Sequence, residues 1–233
     1  MSRILVSLGG NALGTDFDEL VESVGVVAKP IVGLIQAGHE IVICHGNGPQ
    51  VGMIKSSIDH GRASYQQSLV PLSEAVAMSQ AYVGYHLQNA IENQLNAYGL
   101  DKTVCTVISR ALVDADDPMF QRPTKPIDAV IDKDYASVLL AADTACDAMA
   151  ILTGVEKVSI NFNTPDQQDL DELTVAHAEK YLAEGQFPEG SMLPKIRAAL
   201  RFTTSGPGRK TLITSLDKLV EGLKGQTGTW IVP

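Results

Sequence analysis

Basic side chains are scarce in this chain of 233 residues, cysteine is scarcer, and no apolar run is long. Only 18 lysines and arginines stand against 27 aspartates and glutamates, a formal net charge of −9. Nucleic-acid binding needs a basic face, so that balance argues against a phosphate backbone as partner. No stretch approaches ~18 apolar residues free of charges and turns, so no membrane span is expected. The opening MSRILVSLGGNAL holds one basic residue and then Gly-Gly-Asn, without the apolar core or cleavage site of a leader. The three cysteines, Cys44, Cys105 and Cys146, are odd in number and widely spaced, which excludes a disulfide framework. Set in apolar runs, they read as buried free thiols in a reducing cytoplasm. Two nucleotide signatures are also missing. GPGRKT at 206–211 lacks the leading glycine and the Gly-Lys pair of a P-loop, and HGNGPQVG at 45–52 has the wrong spacing for a dinucleotide fingerprint.

Two glycine turns, each following a strand-like run, are present instead. Residues 4–8 run into Gly9-Gly10-Asn11, and 41–44 run into Gly46-Asn47-Gly48, each with a helix-like pattern beyond. A strand that ends in glycines and opens a helix presents backbone N–H groups at the positive end of the helix dipole. Glycine lets an anion reach those amides. Strand-like runs fall near 3–8, 40–44, 103–108, 148–153, 157–161, 211–214 and 228–232. Helix-like stretches fall near 17–37, 72–98, 132–145, 174–184, 193–203 and 215–223. That alternation predicts an α/β fold with a mostly parallel sheet and helices on both faces. Ligands of such sheets sit at the carboxyl ends of the strands, where both turns fall. Pro30 inside the first helix pattern predicts a kink or break. The stretch 110–129, rich in Pro and Asp, is the candidate hinge between two lobes.

Each candidate residue also has a plainer reading. Gly9-Gly10 alone equally describes a tight strand-to-helix turn. Lys133 and Asp134 fit an exposed helix start with an N-terminal acid. Lys195 fits a solvated helix lysine, with Ser191 as cap and Pro194 in the first turn. His45 at a strand end fits a structural histidine as well as a ligand contact.

Read together, LGGNAL at 8–13, HGNGPQVG at 45–52, VAMSQAYVGYHLQNAI at 76–91, DDPMFQRPTKPI at 116–127, VIDKDYAS at 130–137, LTGVEKVSINF at 152–162 and GSMLPKI at 190–196 resemble carbamate kinase, within the amino-acid kinase superfamily. The motifs span almost the whole chain in the family's order. The resemblance implies a three-layer αβα sandwich, one continuous domain with an acceptor-binding half at 1–127 and a nucleotide-binding half at 128–233. It implies ATP/ADP with Mg²⁺ carried by the nucleotide, a small-molecule acceptor, and a homodimer with the 76–91 helix near the contact. Lys133, Lys195 and Lys125 would neutralise phosphate and acceptor, and Asp134 would orient lysines. Gly9, Gly10, Asn11, Gly46, Asn47 and Gly48 would hold the acceptor and the transferring phosphoryl group. Thr153, Gly154, Ser191, Met192 and Lys195 would hold the nucleotide. Ser7 stands where related acid kinases carry a lysine, which carbamate kinases also lack. Between PTKPI and VIDKD, carbamate kinases carry several dozen more residues, a protruding subdomain and a further strand, which this chain lacks. That gap keeps two other readings open: a nucleotide-binding relative without its acceptor site, and a kinase of another small carboxylate. Loss of a central strand also predicts new sheet edges.

Overall fold

The computed structural model describes residues 1–65, 68–116 and 131–233. A six-stranded sheet is built from β1 (Arg3–Leu8), β2 (Glu40–His45), β3 (Ala148–Thr153), β6 (Glu172–Thr174), β7 (Lys210–Ser215) and β8 (Thr229–Val232). Its order is β2-β1-β3-β7-β8-β6, and every pairing is parallel except β7 with β8. β4 (Val158–Ile160) and β5 (Gln168–Leu170) form a separate antiparallel hairpin. The helices are α1 (Phe17–Gln36), α2 (Gly48–Tyr65), α3 (Leu72–Ala97), α4 (Lys133–Asp143), α5 (Val175–Ala183), α6 (Met192–Thr203) and α7 (Leu219–Leu223).

Central parallel strands are buried on both faces, so they read as unbroken apolar runs. β1 and β3 do so: Leu5, Val6, Leu8, Met149, Ala150 and Ile151 are fully buried. On one face, Leu5, Met149, Ile151 and Ile213 form a core with Val138 of α4 and with Ile196 and Phe202 of α6. On the other, a Cβ at Gly222 of α7 would lie 2.8 Å from Leu212, so that short helix rests directly on β7. Helices on both faces of a mixed, mostly parallel sheet make the predicted α/β sandwich.

The chain divides into two compact units. One holds Met1–Ala12, Lys29–Gly46 and Asp132–Pro233, and the other holds Leu13–Ala28 and Asn47–Ile131. In the second, Asp16 accepts the Glu19 amide at 3.0 Å while the Glu19 carboxylate accepts the Thr15 amide at 2.7 Å, a reciprocal cap that starts α1. Gln80 and Gln88 of α3 bind Ser109 and Thr106, which ties segment 101–114 along that helix. Gly84 allows the approach, since a Cβ there would come within 2.2 Å of Thr106 Cγ2.

Four expectations need correction or fall elsewhere. The run 103–108 is not a strand: it finds no ladder partner among the described residues, and Val107 and Ile108 are exposed. Cys105 in it is exposed too, although all three cysteines are free as expected. α1 passes through Pro30 without a break. The carbonyl that proline deprives of a donor belongs to Val26, an exposed residue. Most of the hinge candidate, and Lys125 with it, lies outside the described residues. Among the described residues β2 has a single ladder neighbour and forms one edge of the sheet.

Candidate active site

β1 lies between β2 and β3, so its carboxyl end is where the chain's connections diverge to opposite sides, the place where open α/β sheets bind ligands. α4 starts beside that end. Asp132 caps it by accepting the Asp134 amide at 2.8 Å, which sets Lys133 and Asp134 in the first turn. Asp134 is not an exposed helix-start acid, because its side chain is 3% exposed. Its Oδ1 accepts from Lys133 Nζ at 2.5 Å and its Oδ2 from Lys195 Nζ at 3.2 Å. Lys195 comes from the first turn of α6, 61 residues away in sequence.

Two ammonium groups therefore share one buried carboxylate, leaving a net positive charge. The lysine side chains keep 18% and 16% exposure, so each has donor capacity toward solvent or a ligand. A buried charge pair with spare cationic donors suits a dianionic group that arrives and leaves.

Beside the trio runs a cleft of about 370 Å³. Thr153 at the end of β3, Gly154, Ser191, Met192 and Lys195 all line it, so the five residues predicted for the nucleotide share one cavity. Ser191 makes no capping bond; its hydroxyl lies 3.5 Å from the Pro188 carbonyl. Lys157 and Phe162 also line the cleft, and sequence reasoning missed them. Both belong to the motif LTGVEKVSINF at 152–162, and they flank β4, which brings them there.

The glycine turns divide. A Cβ on Gly9 would meet the Leu152 carbonyl at 3.3 Å, so strand packing by itself calls for glycine there. Gly10 and Asn11 lie in the following 3-10 turn, Gly10–Leu13. The Gly46 amide donates to the Leu8 carbonyl at 3.0 Å, so in this structure it is engaged by protein. In the second unit, Asn47 donates its side-chain amide to Ser79 Oγ at 2.8 Å. Gly48 opens α2, and a Cβ there would meet nothing within 4 Å.

His45 at the end of β2 donates from Nδ1 to the Gly46 carbonyl at 3.0 Å. Burial pushes its ring below the ordinary histidine pKa, outweighing that hydrogen bond. The unfolded chain then binds the proton more readily than the folded one. Its stabilising contribution is full above pH about 6.5 and declines as pH falls from there toward the folded value. His45→Gln should flatten the loss of stability between pH 7.5 and 5.5 in urea melts. Equal slopes in both proteins would remove His45 as the cause.

The Amino acid kinase family profile matches residues 2–215. A carbamate kinase of Staphylococcus epidermidis is 36% identical over 308 aligned positions, covering 99% of this chain and 99% of that one. A carbamate kinase-like protein of Escherichia coli, YqeA, is 36% identical over 305 positions, covering 98% of each. That alignment is longer than the 233-residue chain, so at least 72 of its 305 positions face a gap here. The solved carbamate kinase of Giardia lamblia bound to AMP-PNP superposes with a TM-score of 0.90 at 31% identity, covering 99% of this chain and 98% of that one.

Proposed function

Since the chain belongs to the amino acid kinase family, we propose that it is a carbamate kinase-like, ATP-dependent phosphotransferase, moving phosphoryl reversibly between ATP and carbamate. One observation carries the reading: Lys133 and Lys195 meet on Asp134, and Lys195 also lines the cleft that the residues assigned to the nucleotide line.

Carbamate is already an anion, so its oxygen attacks the γ-phosphorus without a general base. The P–O bond to ADP breaks as the new one forms, giving carbamoyl phosphate and ADP. Acceptor, phosphates and transition state are all negative, so the protein's task is positioning and charge stabilisation. Lys133 and Lys195 supply that charge, and Asp134 keeps both ammonium groups aimed rather than taking a proton. Gly9, Gly10, Asn11, Gly46, Asn47 and Gly48 are assigned to the acceptor and the transferring group, and Lys125 to the acceptor side. Thr153, Gly154, Ser191 and Met192 take the nucleotide.

Among the described residues no cluster of three or more His, Cys, Asp or Glu could hold a metal, and both Asp134 oxygens are occupied by lysines. Mg²⁺ is assigned to the nucleotide's own phosphates, which suits an ion that keeps much of its water. No described helix is long and apolar enough to cross a membrane. A homodimer through the 76–91 stretch, where Met78 and Tyr85 are exposed, and a cytoplasmic setting belong to the same proposal.

Purified protein given ADP, Mg²⁺ and carbamoyl phosphate should form ATP, read by luciferase. ADP binding by calorimetry without any ATP formed would replace this reading with that of a nucleotide-binding relative. ATP formed only from another acyl phosphate would replace the acceptor.

A further inference from the structure

A hydroxyl in the middle of a buried apolar strand is costly unless it is paired. Ser7 interrupts the run ILVSL of β1 and is fully buried, as is Ser137 on α4. Ser7 Oγ accepts from Lys133 Nζ at 3.3 Å and from Ser137 Oγ at 3.1 Å. Both of its lone pairs are used, so the oxygen is fixed in place. Ser137 follows Lys133 by one helical turn, so both side chains leave α4 on the same face and meet the same strand position. Cys44 stands opposite Ser7 in the β1–β2 register.

Lys133 is thus held at two points. Asp134 Oδ1, at 2.5 Å, takes one N–H of the ammonium. Ser7 Oγ, 126 residues away in sequence, takes a second at 3.3 Å. One contact alone leaves the ammonium free to rotate about it, whereas two fix the direction of its third N–H. We infer that Ser7, braced by Ser137, is a positioning residue that sets the direction of the Lys133 ammonium for phosphoryl transfer. The inference rests on the proposed role of Lys133 in that reaction.

Ser7→Ala separates this role from a structural one. Removing a hydroxyl from an apolar strand is gentle, and Lys133 retains Asp134 and water. The melting temperature should therefore stay within a few degrees of the parent. kcat should fall about tenfold, the scale of one hydrogen bond to a charged group, with the calorimetric Kd for ADP unchanged. In the Lys133→Met background the same substitution should cost nothing further, because the residue it acts through is gone. Ser137→Ala should give a smaller fall, and Ser7→Ala with Ser137→Ala should be no worse than Ser7→Ala alone. AMP-PNP titration gives a readout independent of turnover: Ser7→Ala should weaken it about fivefold while ADP holds. Unchanged kcat and AMP-PNP affinity in Ser7→Ala, or an equal loss in both backgrounds, overturns the inference. Full activity in Lys133→Met alone overturns instead the reading of Lys133 on which it stands.

Discussion

Lys195→Ala should lower kcat by on the order of 10²–10³, the usual cost of losing one preorganised transition-state donor. Lys195 is in the first turn of α6, adds its charge to the positive end of that helix, and lines the cleft proposed for the nucleotide. Its Nζ spends one hydrogen bond on Asp134 and has two more for phosphate oxygens. Removing it takes the charge of the Lys133–Asp134–Lys195 trio from +1 to 0 where negative charge passes. Asp134 then keeps Lys133 at 2.5 Å as its partner, so the fold should tolerate the change. kcat should therefore fall far more than ADP affinity, since the proposed reading gives the base and ribose the rest of the cleft. Lys195→Arg should recover part of the rate, because the charge returns on a longer, planar group that fits the position imperfectly. Steady-state kinetics in the ATP-forming direction, with ADP affinity from calorimetry, check this. Near-normal turnover in Lys195→Ala would take Lys195 out of the mechanism.

The parts of the fold legible in the sequence are those whose burial is two-sided. β1, β3 and β7 are continuous apolar runs because helices cover both faces of the sheet, and their ends could be read to within a residue or two. β5 and β6, three residues each, hold QDL and ELT and are strands only because Leu170 and Leu173 find partners across the chain. The run 103–108 failed in the opposite sense. TVCTVI has strand composition, but composition records how side chains suit a sheet, and here no described strand lies beside it. α2 shows in the sequence only as a pattern beyond the second glycine turn; its residues are mostly exposed, and its apolar stripe is the short, half-buried set Val51, Ile54 and Ile58.

The site was legible as motifs and silent as geometry. GSMLPK and VIDKD each contain a lysine that reads as a solvated helix residue on spacing alone. What distinguishes them is that both point at one carboxylate, a contact made by packing α4 against α6. The Ser7 contact is likewise closed only when β1 and α4 pack together. Local rules describe neighbours along the chain, and these residues are neighbours only through the core.

Asp134→Asn should produce the largest change in stability. The carboxylate is nearly inaccessible and is the charge that reconciles two ammonium groups held within 2.5 and 3.2 Å of it. The amide retains the shape but offers one acceptor oxygen, and its NH₂ faces the other lysine as donor to donor. Breaking a buried pair by removing one charge typically costs about 3–5 kcal/mol. Because both lysines keep some exposure and can turn toward water, about 3 kcal/mol is the better expectation here. For a chain of this length that lowers Tm by on the order of 10 °C. The same substitution should abolish most turnover, since neither ammonium is aimed any longer. The two effects have a common physical origin, and sulfate can expose it. An anion that settles between the two uncompensated lysines binds the folded state alone, so sulfate should raise the Tm of Asp134→Asn well beyond its effect on the parent protein. Chloride at equal ionic strength serves as the control for general screening. An unchanged Tm in Asp134→Asn would mean that the lysines do not depend on this carboxylate, and the arrangement from which the catalytic roles were derived would have to be abandoned.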